Sequence, residues 1–296
     1  MRYGLGISGG GAGGEASAYG LCQATNHLPH LIDYIHFYCG SSAGAIIAAC
    51  LAFGLPPQEV HWLLLKHNRT AFTKNGWLDR KLGDPVYDGS YLEGILHSVF
   101  GFKKMSDLKY DCYLVAYQVT DEQGDERHRR VKVFSRADTE VNIVDAVMAS
   151  SAAPWFFGKW RVGDTWYGDG GVVDNLPTLL GMSFDHKLYG NPIDDYKCMS
   201  FITGGAKKQK RKAFNFGSIF SLAKHFPGEL LPADIDGEIL KIDNFIGECN
   251  HFVARPPLSD YGLDEVSAQP KLKKEWASYF EDHTVVRNLI KWIIVE

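Results

Sequence analysis

Three glycine-bracketed stretches carry residues suited to acyl-transfer chemistry. The first is Gly40-Ser41-Ser42-Ala43-Gly44, which fits Gly-x-Ser-x-Gly with Ser42 at its centre. A sharp strand-to-helix corner strains the central residue, and any flanking Cβ would meet a neighbouring element, so Gly40 and Gly44 support the corner. Ser42 would then stand at a helix N-terminus, where N–H groups and the helix dipole favour negative charge. The plainer reading is a tight turn whose serine caps the helix. The second stretch is Ser8-Gly9-Gly10-Gly11-Ala12-Gly13-Gly14. Consecutive glycine N–H groups can point at one spot and hold a developing alkoxide, so Gly9, Gly10, Gly11, Gly13 and Gly14 are oxyanion-hole candidates. The third is Gly168-Asp169-Gly170-Gly171. Alone it reads as an Asp-Gly turn. Beside the other two it makes Asp169 a candidate base, on a loop shaped by Gly170 and Gly171.

The elements around these stretches follow from apolar patterning. Residues 2–7 read as a strand and 14–26 as a helix of small residues. An apolar run from Tyr34 reads as a second strand, and the Ala- and Ile-rich run after Ser42 as a buried helix that ends at Gly54. The glycine loop and the serine therefore sit on the first two strand–helix turns, neighbours at one sheet edge. Gly9, Gly11 and Gly14 also satisfy the dinucleotide pattern Gly-x-Gly-x-x-Gly, but the second strand closes on Cys39-Gly40-Ser41-Ser42, where a ribose-binding acid is required. Further on, a helix from Pro56 to about Lys66 leads into an irregular excursion over 68–90 that contains Trp77. A helix follows from Ser90 to Phe100, then strands at 113–120 and 130–135 around a polar turn in which His128 reads as solvated. Residues 142–153 form a small-residue helix ended by Pro154, and Trp155, Phe156 and Phe157 are candidates for an acyl pocket, a membrane contact or plain core. Residues 271–294 read as one amphipathic helix packed on the domain.

Composition narrows the function classes. The chain has 296 residues, 45% hydrophobic and 22% charged, with a formal charge of −4, which argues against a general nucleic-acid binder. Six cysteines without a CxxC pair suggest a reducing compartment and no structural metal, with Cys39 and Cys50 as core residues, and no cofactor is expected. The N-terminus enters a strand directly and is read as lacking a signal peptide. The longest apolar run, 43–57, is too short to span a bilayer, so a cytoplasmic protein is expected. One strongly basic stretch, Lys207, Lys208, Lys210, Arg211 and Lys212 followed by Phe214, Phe216 and Phe220, reads either as a solvated loop or as a lid over 204–230 that touches an anionic membrane.

Taken together, the three motifs resemble the patatin-like phospholipase family, in the family's order over residues 3–178. Ala149-Ser-Ser-Ala-Ala-Pro154 and Asn175-Leu-Pro177 also resemble it, as do, more weakly, Arg255-Pro-Pro257 and Asp264-Glu-Val-Ser267. One departure is Gly13, where the family often has Arg or Lys. The resemblance implies a three-layer α/β/α fold with a mostly parallel sheet. It also implies a core over 1–180, with 181–296 packed on the same domain. In function it implies a metal-free lipid acyl hydrolase of phospholipase A type, with Ser42 as nucleophile and Asp169 as its dyad partner, acting on phospholipid or another acyl ester. The alternatives are a triad esterase using His251 or His283, a nucleotide-binding module on the glycine loop, and a non-catalytic lipid binder. The sequence leaves the oligomeric state open.

Overall fold

The computed structural model describes residues 1–73, 86–119, 130–153, 156–203, 235–257, 261–262 and 264–294. Trp77, the polar turn with His128, Trp155, and the basic stretch from Lys207 to Lys212 with the expected lid lie outside the described residues.

The chain alternates strands and helices. β1 (Arg2–Ile7), α1 (Gly14–His27), β2 (Ile35–Ser41) and α2 (Ala43–Phe53) come first, then α3 (Pro57–Ala71) and α4 (Gly89–Phe100). β3 (Asp111–Gln118), β4 (Arg130–Phe134), α5 (Ile143–Ser150), β5 (Trp160–Val162) and β6 (Thr165–Asp169) follow. The rest is α6 (Thr178–Tyr189), β7 (Tyr196–Phe201), α7 (Ile235–Ile246), β8 (His251–Ala254), α8 (Gln269–Glu281) and α9 (His283–Ile294). One mixed, mostly parallel sheet has the order β5-β6-β3-β2-β1-β7-β8, with β4 added on β3. Crossover helices bury both faces, as parallel pairing requires.

Each strand therefore serves two cores by alternation. Leu5, Ile7, Tyr38, Leu114 and Met199 face one core, beneath α1, α2 and α5. Phe37, Cys39, Tyr113, Val115 and Cys198 face the other, beneath α6 and α7. The result is a three-layer α/β/α fold. Cys39 and Cys50 are fully buried, as a core role predicts.

Two expectations need correction. The helix from Pro57 runs on to Ala71, so the excursion begins later than its Asn and Thr residues suggest. The single terminal helix over 271–294 is two helices that break at Asp282. Asp282 is extended and its carboxylate accepts the Thr284 N–H at 2.7 Å, which caps the second helix. Apolar periodicity continues across the break, because Leu272, Trp276, Phe280, Leu289 and Ile293 all enter the same core. Among the described residues no helix is long and apolar enough to cross a membrane.

Candidate active site

Sheet register brings Ser42 and Asp169 together. Parallel β2 pairs with β3 up to Ser41 opposite Val115. Antiparallel β6 pairs with β3 up to Asp169 opposite Ala116. Because β4 occupies one edge of β3 along Leu114–Gln118, β2 and β6 must share the other edge. The two strands meet end to end, and residues 127 apart in sequence touch. Ser42 Oγ donates to Asp169 Oδ2 at 2.7 Å.

At the corner, Ser42 has φ 54° and ψ −126°, and it is the one non-glycine residue with positive φ among the described residues. Such backbone costs on the order of 1–3 kcal/mol and persists only where the surroundings impose it. They do so here. The Ser42 N–H donates to Ser150 Oγ at 3.2 Å, and Ser150 in turn donates to the Val115 carbonyl. Ser151 Oγ donates to the Ser42 carbonyl at 3.1 Å. Gly40 and Gly44 let strand and helix close on each other, since a Cβ on Gly40 would lie 2.3 Å from the Gly44 carbonyl oxygen. A Cβ on Gly44 would lie 2.1 Å from the Ile7 carbonyl oxygen on central strand β1. Gly44→Ala is therefore expected to destabilise the fold by about 3 kcal/mol, as overpacking against backbone does. The drop would be read from the urea midpoint, and an unchanged midpoint would mean that α2 does not rest on β1.

Asp169 is 5% exposed. Its Oδ1 accepts the Gly171 N–H at 2.7 Å. Gly170 lies against the Val115 carbonyl, where a Cβ would approach to 2.1 Å. Burial pushes the Asp169 carboxyl up to about 6, and the hydrogen bonds from Ser42 and Gly171 hold it back from going higher. A carboxylate with that affinity for a proton is a much better base than a free one.

The glycine loop is pinned at its root. Ser8 N–H donates to the Phe201 carbonyl at 3.0 Å, and Thr203 bonds Ser8 through both its N–H and its hydroxyl. The N–H groups of the five candidate glycines are engaged differently. Gly9 N–H donates to the Asn175 carbonyl and Gly13 N–H to the Gly10 carbonyl, both at 3.0 Å. Gly14 N–H is engaged by the carbonyls of Gly11 and Ala12. Those three groups close the short 3-10 turn and its anchor. Among the described residues the N–H groups of Gly10 and Gly11 remain unpartnered. So does that of Ala43, the first residue of α2, whose N–H has no partner within the helix. Ala43 is absent from the glycine-based expectation, although the corner motif itself signals the residue after the serine.

Gly11, Ser42 and Ala43 line one pocket whose walls are mostly apolar, with Ile46, Leu63, Leu64, Ile95, Leu96 and Phe157 beside the polar Glu15, His67 and Asn68. Phe156 instead stacks on Tyr87, with rings 5.9 Å apart and 8° from parallel. The histidines proposed for a triad lie elsewhere. His251 faces Asp243 through Nδ1 at 2.7 Å and Ser200 through Nε2 at 2.8 Å, a buried network away from Ser42. His283 is exposed at the start of α9. The observed partner of Ser42 Oγ is a carboxylate. The described residues hold no cluster of three or more His, Cys, Asp or Glu that could bind a metal.

A strained serine on a strand–helix corner, at the carboxyl edge of a three-layer α/β/α sheet, has the backbone geometry of a nucleophile elbow. The chain belongs to the patatin-like phospholipase family, whose model, "Patatin-like phospholipase", matches residues 5–182. It is 28% identical over 182 residues to a cGAMP-activated phospholipase of Pseudomonas aeruginosa, covering 60% of this chain and 55% of that protein. It is 22% identical over 249 residues to "Probable lipid hydrolase 463L" of Invertebrate iridescent virus 6, covering 79% of this chain and 83% of that one. The chain spans about half the length of the cGAMP-activated phospholipases it matches. The solved structure of human GIVD cytosolic phospholipase A2 aligns with a TM-score of 0.49 at 11% identity, over 99% of this chain and 60% of that one.

Proposed function

We propose that this protein is a lipid acyl hydrolase of phospholipase A type that works through a Ser42–Asp169 dyad. The observation that carries the reading is the 2.7 Å hydrogen bond from Ser42 Oγ to a buried Asp169 carboxylate. Family membership and the apolar pocket beside Ser42 support it.

Ser42 Oγ attacks the ester carbonyl while Asp169 takes its proton. The N–H groups of Gly11 and Ala43, with Gly10 close by, stabilise the oxyanion together with the N-terminal end of α2. Collapse of the tetrahedral intermediate breaks the ester bond, and Asp169 returns the proton to the departing alcohol oxygen. Water then attacks the acyl-enzyme, giving its proton to Asp169. The fatty acid leaves and Ser42 is reprotonated. Glycine N–H groups that a dinucleotide reading assigns to phosphate are used here inside the loop or beside the serine, so the ester reading fits them better.

Alanine at Ser42, Asp169, His251 and His283, assayed on a chromogenic short ester and on phospholipid vesicles, tests the dyad. Loss at the first two alone supports it, and loss at a histidine with Asp169→Ala fully active overturns it. The pocket yields a second expectation. Ile95→Trp fills the apolar cleft and should lower kcat/KM for long-chain esters by about ten-fold or more relative to a butyrate ester, since each methylene excluded from a pocket forfeits about 1–3 kcal/mol. Equal effects on short and long chains would mean that the acyl group lies elsewhere.

A further inference from the structure

Gly11 and Ala43, whose N–H groups have no hydrogen-bond partner among the described residues, line the pocket with Ser42. A trans peptide is a rigid plane in which C=O and N–H point in opposite directions. The direction of the Gly11 N–H is therefore fixed by whatever holds the Gly10 carbonyl, and that of Ala43 by whatever holds the Ser42 carbonyl. Both carbonyls are held by side chains from distant parts of the chain. Tyr261 Oη donates toward the Gly10 carbonyl at 3.1 Å, alongside the Gly13 N–H at 3.0 Å. Ser151 Oγ donates to the Ser42 carbonyl at 3.1 Å, alongside the Ala45 N–H at 2.9 Å.

We infer that Tyr261 and Ser151 are positioning residues that aim the two oxyanion donors from behind, each by gripping the carbonyl of the donor's own peptide. The inference rests on the acyl-hydrolase reading above. Tyr261 suits the task. It is fully buried, and its one hydroxyl proton is shared between the Gly10 carbonyl and the Thr203 carbonyl at 3.0 Å, which ties the loop to the end of β7. Burial pushes the hydroxyl further above its ordinary range, which keeps it a donor. Its oxygen lies 2.0 Å from where a Cβ on Gly13 would be, so the side chain that the family often carries at this position is replaced here by a tyrosine reaching in from residue 261. Tyr261 also lies beyond the matched family region, which ends at 182. Without it, the Gly10–Gly11 peptide keeps one local bond inside a run of glycines, where rotation of a peptide plane meets little steric resistance. A hydrogen bond on a carbonyl also polarises its peptide and strengthens the opposite N–H as a donor.

The test uses the full chain with Tyr261→Phe, which removes one oxygen and keeps the ring, and with Ser151→Ala and Ser151→Thr. Steady-state hydrolysis of p-nitrophenyl butyrate, the rate of Ser42 labelling by a fluorophosphonate, the pH profile and the melting temperature are measured on each. Tyr261→Phe and Ser151→Ala should each lower kcat by about ten-fold, less than the 10²–10³ of losing an oxyanion donor outright, with KM within about two-fold. Labelling should slow by the same factor, because the phosphonate oxygen occupies the oxyanion position. The acid limb of the pH profile should stay in place, because Asp169 is untouched, and Ser151→Thr should recover most of the rate. A kcat near wild type, a loss confined to KM, or a threonine no better than alanine would overturn the inference. Should Tyr261→Phe fail to fold, the Ser151 pair decides alone. If the wild-type protein neither hydrolyses the ester nor takes the label at Ser42, the acyl-hydrolase reading falls instead. Unchanged variants of an active wild type remove only the positioning role.

Discussion

Ser42→Ala and Ser42→Gly are both expected to lose acyl-ester hydrolysis by about 10⁴-fold or more, as removal of a serine nucleophile does, and the glycine variant is expected to be the more stable of the two. The ranking follows from the backbone. At φ 54° and ψ −126°, alanine inherits all of the strain that serine bears, whereas glycine adopts that region freely. Relief of about 1–3 kcal/mol outweighs the extra chain entropy of glycine, about 0.5–1 kcal/mol, so a net advantage of about 1 kcal/mol remains. For a chain of this size that is roughly 2–3 °C in melting temperature. Calorimetry on the two variants reads the difference, and a phospholipid-release assay reads the loss. An alanine variant as stable as the glycine one would mean that the corner is unstrained in solution. Activity surviving in both would put the nucleophile elsewhere.

The strain explains why the corner is legible in the sequence. Glycines at 40 and 44, a serine between them and an apolar run on each side leave few geometries open, and the structure has β2, the corner and α2 where that pattern puts them. Taken by its own stretch, Asp169 is legible only as a turn residue, and it becomes a candidate base through the two other glycine motifs and the family resemblance. What sets it against Ser42 is the antiparallel entry of β6 on the edge of β3 that β2 vacates at Ser41, and no local pattern encodes a shared edge. The glycine loop is half legible. Its composition signals exposed N–H groups, but the short 3-10 turn decides which of them are used internally, and that turn depends on anchors at Asn175, Phe201 and Thr203. Tyr261 is not legible at all. It bonds Gly10 across 251 positions, through a carbonyl, from a stretch with no motif of its own. The break at Asp282 escapes for the opposite reason, since both flanking helices present one continuous apolar face to the core.

Asp169→Asn is expected to cut kcat by about 10³-fold, within the range general-base catalysis supplies, and at the same time to stabilise the protein above pH 6. Asparagine keeps the geometry: its oxygen can accept the Gly171 N–H, and its amide can donate to Ser42 Oγ. What it removes is a buried charge. The carboxyl titrates near an ordinary 3.8 when unfolded and at about 6 when folded, mainly because burial disfavours the ionised form. Between those values the native state holds a proton that the unfolded state has released, so wild-type stability falls as pH rises through the window. Above it the loss is complete. Roughly two pH units at about 1.4 kcal/mol each give about 3 kcal/mol, the amount by which the asparagine variant should exceed wild type at pH 8. Below pH 4 both side chains are neutral and the two curves should meet. Asp174, which burial pushes up to about 7, titrates in both proteins and cancels in the difference. Wild-type kcat/KM should fall about ten-fold per pH unit below 6, as expected of a base that must be ionised, while the residual rate of the variant stays flat. Urea unfolding from pH 4 to 8 reads the stability gap. A variant less stable than wild type at pH 8, or a gap that does not close on acidification, would show that Asp169 is not held as a buried, costly base.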